Sequence, residues 1–119
     1  MPYTTVDLFR AEFFKALAHP VRIRILRLLR SGEKSVTELQ ETVGLESSAV
    51  SQQLSILRAK NLVVVRKDGT KAFYTARDPQ IFQLLDSVKE IFNRNLIDNR
   101  AMLDELEQEE KTLSESNRL

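Results

Sequence analysis

The apolar residues in the first quarter of the chain recur at the three- and four-residue spacing of α-helices. This spacing predicts a first amphipathic helix over residues 5–18. A second helix is predicted to start at Pro20, because proline suits the first turn of a helix, and to end at Gly32, which can adopt a left-handed conformation. The apolar positions are Phe9, Phe13, Ala16 and Leu17 in the first helix and Val21, Ile25, Leu28 and Leu29 in the second.

Two short helices separated by a glycine are predicted next. Ser35-Val36-Thr37-Glu38 matches a capping box, in which the serine hydroxyl and the glutamate carboxylate each accept a backbone N–H of the first turn. This third helix ends just before Gly44, and Ser47 or Ser48 is predicted to cap a fourth helix that reaches about Lys60. Two short helices joined by a tight turn form a helix-turn-helix.

The period of the apolar residues changes after Asn61. Leu62-Val63-Val64-Val65 is β-branched and too short for a buried helix, so it is predicted to form a strand. Asp68-Gly69 is a strong hairpin signal, and Ala72-Phe73-Tyr74-Thr75 is the predicted returning strand.

A long final helix is predicted after Asp78-Pro79, which combines a helix-capping residue with a first-turn proline. Its apolar positions are Ile81, Leu84, Leu85, Val88, Ile91, Phe92 and Leu96, continuing through Leu103 and Leu106. The prediction is one domain over residues 1–111 and a flexible C-terminal tail over residues 112–119. The fold class is mainly α, with five helices and a small β-hairpin between the fourth and the fifth.

Composition narrows the functional classes. The 119 residues are 42% hydrophobic and 29% charged, as expected of one compact domain, and the absence of cysteine excludes disulfides and thiolate metal sites. No apolar run is long enough to span a bilayer and the first residues do not resemble a signal peptide, so we expect a cytoplasmic protein. The sequence contains no phosphate-binding glycine loop and no nucleophile motif, which disfavours an enzyme and predicts no cofactor.

The net charge of +1 is unevenly distributed. From Asp104 onwards six acidic residues face only Lys111 and Arg118, so this end carries −4 and the first 103 residues carry +5. Such a basic body suits a polyanionic partner, although an ordinary solvated surface has the same composition.

The predicted fourth helix has two contrasting faces. Val50, Leu54 and Leu57 share one face, and the opposite face is small, polar and almost uncharged, which is unusual for a solvated helix. Hydroxyls and amides can bond to base edges in the major groove of duplex DNA, whereas a plain polar surface is the simpler alternative. The predicted recognition residues are Ser47, Ser48, Ser51, Gln52, Gln53, Ser55 and Arg58.

The predicted hairpin has cations near its tip. Arg66, Lys67, Thr70 and Lys71 are expected to contact phosphates or the minor groove, together with Thr37 at the start of the third helix. Lysines that protect an edge strand from aggregation are the alternative interpretation.

The first and last helices are more apolar than one small domain requires. We therefore expect a homodimer, which would also place two recognition helices in successive major grooves. A last helix that folds back over its own domain is the alternative. The predicted interface residues are Phe9, Phe13, Leu17, Leu84, Val88, Ile91 and Phe92.

Three stretches, LAHPVRIRILRLL, VTELQETVGLESSAVSQQLSILRAKNLV and VRKDGTKAFYT, resemble the ArsR/SmtB family of winged-helix repressors over most of residues 9–92. The resemblance implies a dimer that binds an imperfect palindrome, represses a nearby promoter and is released by a ligand. The effector would be an unidentified small molecule, and constitutive repression is the alternative. A winged-helix module that binds proteins, as an antirepressor does, is the second functional hypothesis.

The sequence departs from the family pattern in two respects. Many members have His at Gln53 and Lys at Ser55, so the operator sequence does not carry over. Metal-sensing members have cysteines near the third helix or histidines on the last one, and neither is present here. The single histidine, His19, is predicted to be a packing or capping residue, and no metal site is predicted, with carboxylate-only binding left open.

Overall fold

The computed structural model describes residues 1–95 and 100–116 and confirms a mainly helical chain with a small antiparallel sheet. The helices in this part of the chain are α1 (Thr5–Leu17), α2 (Pro20–Leu28), α3 (Val36–Val43), α4 (Ser47–Ala59), α5 (Gln80–Asn95) and α6 (Arg100–Ser116), with a 3₁₀ turn at Leu29–Ser31. The strands are β1 (Lys34–Ser35), β2 (Val63–Asp68) and β3 (Lys71–Ala76). The chain divides into two compact units, Met1–Arg77 and Asp78–Leu119.

Local capping signals explain where most helices begin. The predicted capping box of α3 is present, since the Ser35 hydroxyl accepts the Glu38 N–H at 3.1 Å and the Glu38 carboxylate accepts the Ser35 N–H at 3.0 Å. His19 caps α2, because its Nδ1 accepts the Val21 N–H at 3.1 Å. The predicted capping role of His19 is thus confirmed.

The predicted N-cap of α4, Ser47 or Ser48, is wrong, because the N-cap lies one residue before Ser47. Glu46 is the N-cap residue, with extended backbone angles, and its side chain makes no capping hydrogen bond. Its carbonyl accepts the Val50 N–H at 3.1 Å, so the chain is already helical at Ser47. Ser47 and Ser48 are therefore the first two helical residues, and both are exposed.

Each helix of the α3–α4 helix-turn-helix is followed by a residue in the left-handed conformation. Gly44 joins the two helices with φ 80°, a conformation that glycine adopts without strain. After α4, Asn61 has φ 61°, and the N–H groups of Asn61 and Leu62 donate back to the carbonyls of Arg58 and Leu57. This pair of bonds is a Schellman motif, which ends α4 and directs the chain into β2.

The sheet has the order β1-β3-β2, and all of its strand pairs are antiparallel. β2 and β3 form the predicted hairpin, in which Asp68 pairs with Lys71 across the two turn residues and Gly69 has φ 63°. The strand β1 was not predicted, because its two residues overlap the capping signal of α3.

The buried apolar residues of the first unit lie on α1, α2, α3, α4 and β2, with Leu29 in the 3₁₀ turn and Leu62 just before β2. Leu17, which the sequence analysis placed in the dimer interface, is only 8% exposed within the single chain. Leu17 therefore packs within its own unit and offers almost no surface that a partner could cover. The buried set is Ala16, Leu17, Ile25, Leu26, Leu28, Leu29, Leu39, Val50, Leu54, Leu57, Leu62 and Val63.

The second unit holds two described helices where one continuous helix was expected. Residues 96–99, including Leu96, lie outside the described residues, as do residues 117–119. Lys89 of α5 and Glu110 of α6 form an ion pair. Because α6 extends to Ser116, residue 112, where the tail was predicted to begin, lies inside a helix.

Candidate nucleic-acid interface

The outer face of α4 has the polarity expected for a helix that enters a DNA groove. Val50, Leu54 and Leu57 are completely buried, which fixes the rotation of the helix on its own unit. The opposite side presents exposed hydroxyl and amide groups and no carboxylate. Its exposed residues are Ser48, Ser51, Gln52, Ser55 and Ala59, and Ser47 and Arg58 are exposed near the two ends.

Gln53 differs from its neighbours on α4. It is half-buried and lies near the buried edge of the helix, about 100° around the axis from Gln52. Its side-chain oxygen accepts a hydrogen bond from Nη1 of Arg22 at 2.9 Å. The structure therefore does not group Gln53 with the exposed residues that could reach base edges.

The tip of the β2–β3 hairpin, which we call the wing, exposes all four predicted residues, and Arg66 differs from the other three in its partners. Lys67, Thr70 and Lys71 surround the Gly69 turn and are exposed. Thr37 is also exposed, in the first turn of α3. The wing thus offers two ammonium groups and a hydroxyl to a polyanion.

Arg66 does not behave as a free cation of the wing. Its Nε and Nη2 donate to the two carboxylate oxygens of Glu33 at 3.0 and 2.7 Å. Its guanidinium also lies 4.6 Å from the ring centroid of Phe73, its cross-strand neighbour. This bidentate pair and ring contact connect the wing to the segment before β1, so Arg66 supports the hairpin.

The Arg66 hydrogen bonds hold the pKa of the Glu33 carboxyl below its usual value. Since the folded-state pKa is lowered, the pair's contribution to stability is fully present above the ordinary value of 4.5. This contribution to stability is lost as the pH falls from 4.5 through the lowered pKa of Glu33 in the folded protein. We expect Glu33→Gln to lower the melting temperature at pH 7, with a smaller difference from the wild type at about pH 3, below the ordinary value. Thermal unfolding at both pH values tests this, and an equal difference at each would contradict it.

Apolar side chains remain uncovered on α1. Phe9 is 74% exposed and Phe13 is 38% exposed, on the same side of the helix. Phe14 is also exposed and contacts Phe13 edge-to-face, with centroids 5.7 Å apart. An uncovered aromatic group of this kind is typical of a protein interface.

α5 also has uncovered apolar residues near its C-terminal end. Ile91 is 51% exposed and Phe92 is 48% exposed, whereas Leu84 and Val88 are half-buried. The four α5 residues predicted for the interface thus retain surface that a partner could cover.

Histidine and carboxylate side chains among residues 1–95 and 100–116 do not gather in any group of three or more that could hold a metal ion. None of the helices described there combines the length and the apolar character needed to cross a membrane.

Two contact residues, Arg22 and Glu33, were missed by the sequence analysis. Each bonds to a residue more than thirty positions away, Arg22 to Gln53 and Glu33 to Arg66, which no local pattern indicates. A weak signal exists for Arg22, since it follows closely after the end of α1 and basic side chains near a helix C-terminus often bond to its last carbonyls.

Comparisons with known proteins identify the family. Residues 19–65 match the family model described as bacterial regulatory protein, arsR family. The uncharacterized HTH-type transcriptional regulator Rv0081 of Mycobacterium tuberculosis is 48% identical over 98 residues, which are 82% of this chain and 86% of the relative. The chain belongs to the arsR family of bacterial regulatory proteins. It is a DNA-binding transcriptional regulator and not an enzyme, as the sequence predicts.

Solved structures of arsR-type regulators share the fold. The crystal structure of Rv0081 has a TM-score of 0.73 and 45% identity, covering 81% of this chain and 97% of that one. The transcriptional repressor BigR from Xylella fastidiosa has a TM-score of 0.65 and 33% identity, covering 76% and 97%. The homodimeric winged helix-turn-helix DNA-binding domain of Mb0332 from Mycobacterium bovis has a TM-score of 0.68 and 28% identity, covering 76% and 84%. The winged helix-turn-helix prediction is confirmed.

Proposed function

We propose that this arsR-family regulator is a repressor that binds a palindromic DNA operator as a homodimer. The observation that carries the proposal is the outer face of α4, where exposed serines and Gln52 replace the charged residues of an ordinary solvated helix. Such side chains can approach base edges closely, and an amide can bond to adenine in bidentate fashion. The relation to a protein described as the transcriptional repressor BigR favours repression over activation.

Exposed apolar groups on α1 and α5 support the homodimer. Phe9, Phe13, Ile91 and Phe92 expose substantial aromatic and aliphatic surface in the single chain. A twofold axis would hide this surface and present two copies of α4 to successive major grooves, about 34 Å apart. The homodimeric state described for the Mb0332 domain agrees with this arrangement.

Phosphate contacts are assigned to groups around α4. No side chain caps the start of this helix, so the N–H groups of Ser47, Ser48 and Ala49 are available to a phosphate oxygen. Thr37 can add a hydroxyl from α3. The wing contributes Lys67, Thr70 and Lys71, and Arg66 supports the wing instead of contacting DNA.

Regulation is inferred to involve neither thiol redox chemistry nor thiolate metal binding, because the chain has no cysteine. A small-molecule effector or a change in protein level would then relieve repression. As a transcription factor of a bacterial family, the protein would act in the cytoplasm, where the chromosome lies.

Binding to the DNA upstream of its own gene tests the proposed function. We expect electrophoretic shifts that are selective over a random duplex of equal length, and that weaken steeply between about 50 and 200 mM salt. Lys67→Gln should weaken binding to both duplexes and reduce the salt slope by about one, because it removes a phosphate contact.

Two matched variants control this measurement. Lys111→Gln makes the same change on the acidic helix α6 and should leave the salt slope unchanged. Arg66→Gln should lower the melting temperature more than Lys67→Gln does, since only Arg66 is held by Glu33. Binding without sequence selectivity would overturn the operator assignment, and a failure to bind either duplex would favour a protein-interaction module.

A further inference from the structure

Arg22 of α2 connects two helices with different proposed roles. Its Nε donates to the carbonyl of Ala16 at 2.6 Å and its Nη2 to the carbonyl of Lys15 at 3.2 Å, at the C-terminal end of α1. Its Nη1 donates to Oε1 of Gln53 on α4 at 2.9 Å. One half-buried guanidinium thus bonds at once to the end of the exposed aromatic helix and to the side of the DNA-reading helix.

The chemistry of the guanidinium makes this link specific. Arginine only donates hydrogen bonds, so Gln53 must turn its carbonyl oxygen towards Arg22 and its amide group away. Three N–H groups of the planar guanidinium point in fixed directions and donate to three acceptors on the two helices α1 and α4. A lysine in the same place has the same charge but a single nitrogen, which cannot satisfy all three acceptors in this geometry.

We propose that Arg22 is a positioning residue for operator recognition, which holds α4 in a fixed register against the end of α1 through Gln53. The proposal rests on the proposed function, because it assigns Arg22 a role in the specific complex. If α1 forms the dimer interface, this link determines where each recognition helix lies relative to the twofold axis.

The link should affect specific binding far more than non-specific binding. Hydrogen bonds to base edges require the donor and acceptor to meet within a few tenths of an ångström. Contacts to phosphates are long-range and tolerate a small shift of α4. Arg22 is half-buried and donates three hydrogen bonds to protein atoms, so its replacement by lysine leaves the charge facing DNA unchanged.

A charge-conserving series in the full-length protein tests the proposal. Arg22→Lys and Gln53→Met are compared with the double variant, and Arg77→Lys is the matched control, because Arg77 is exposed and follows β3. The probes are a duplex that the wild-type protein selects from a random-sequence pool and a scrambled duplex of equal length. Affinities are measured at two salt concentrations, and thermal unfolding checks that each variant is folded.

We expect Arg22→Lys and Gln53→Met each to reduce specific affinity about tenfold while non-specific affinity changes less than about twofold. The double variant should lose no more than the more severe single change, because both remove the same link. An unchanged specific-to-random ratio in Arg22→Lys, an equal loss on both duplexes, or additive losses would overturn the positioning role. If the wild-type protein itself selects no sequence, the proposed function fails first, and that result is visible before any variant is compared.

Discussion

Phe9→Asp is expected to convert the protein from a dimer to a monomer and to reduce affinity for a palindromic site by more than about 100-fold. Phe9 is 74% exposed in the single chain, so the change removes almost no packing within the chain. In a twofold interface each substitution occurs twice and places two carboxylates in an apolar contact, where burial of an unpaired charge costs several kcal/mol.

The loss of DNA affinity follows from the loss of the dimer. Two half-sites bound by one dimer gain an effective concentration that separate monomers lack, and this commonly contributes a factor of 10²–10⁴. A single recognition helix retains only its own few base contacts and the phosphate contacts around it. The wing lysines should therefore still give weak, salt-sensitive binding in the monomer.

Leu8→Asp is the matched control for this prediction. Leu8 is 46% exposed on the same helix but lies about 100° around the axis from Phe9. Sedimentation velocity should show a monomer for Phe9→Asp and a dimer for Leu8→Asp, and a cooperative thermal transition should show that both are folded. A dimer that persists in Phe9→Asp would remove this face of α1 from the interface.

The elements of the first unit could be predicted from sequence because their signals are local. Pro20 marks the start of α2, Gly44 separates α3 from α4, and Ser35 with Glu38 caps α3, all within a few residues of the feature that they determine. The energies of capping and of left-handed turns depend on neighbouring backbone groups alone. The two-residue strand β1 has no such signal, since it exists only because β3 lies beside it.

The contacts of the candidate site could be predicted only in part, because some depend on tertiary packing. Periodicity correctly identified the exposed face of α4, since the buried Val50 and Leu54 fix its rotation. It did not reveal that Gln53 and Arg66, which it assigned to DNA, bond to Arg22 and Glu33, which are 31 and 33 residues away in sequence. A partner at that distance becomes known only when the helices and the sheet are assembled.

The apolar stripe of α1 shows the same limit. Phe9 and Leu17 belong to one helical stripe, and the period alone predicts a common environment. In the structure Phe9 is exposed while Leu17, in the last turn, is buried. Whether the rest of the chain covers a residue depends on where it lies along the helix. The spacing of apolar residues gives the face of the helix but not which part of its length is covered.

Gln52→Ala is expected to reduce affinity for the selected operator by about 1–3 kcal/mol, or roughly 5- to 150-fold, with almost no effect on random DNA. Gln52 is exposed near the centre of the outer face of α4, opposite the buried Val50 and Leu54. Its amide has one acceptor and two donor hydrogens, which match the N6 and N7 groups of adenine. Alanine lacks the amide donor and acceptor, so the N6 and N7 groups of the adenine would be buried in the interface without hydrogen-bond partners.

Selection experiments provide the decisive measurement for Gln52. The variant should lose preference at one base pair in each half-site while the rest of the consensus and the salt slope remain unchanged, because a base contact carries sequence information and a phosphate contact does not. Gln108→Ala, an exposed glutamine on α6, is the control and should leave the consensus intact. Loss of preference over the whole half-site would instead indicate a displaced helix, which is the result expected for Arg22→Lys. Equal losses of affinity on operator and random DNA would show that Gln52 reads no base.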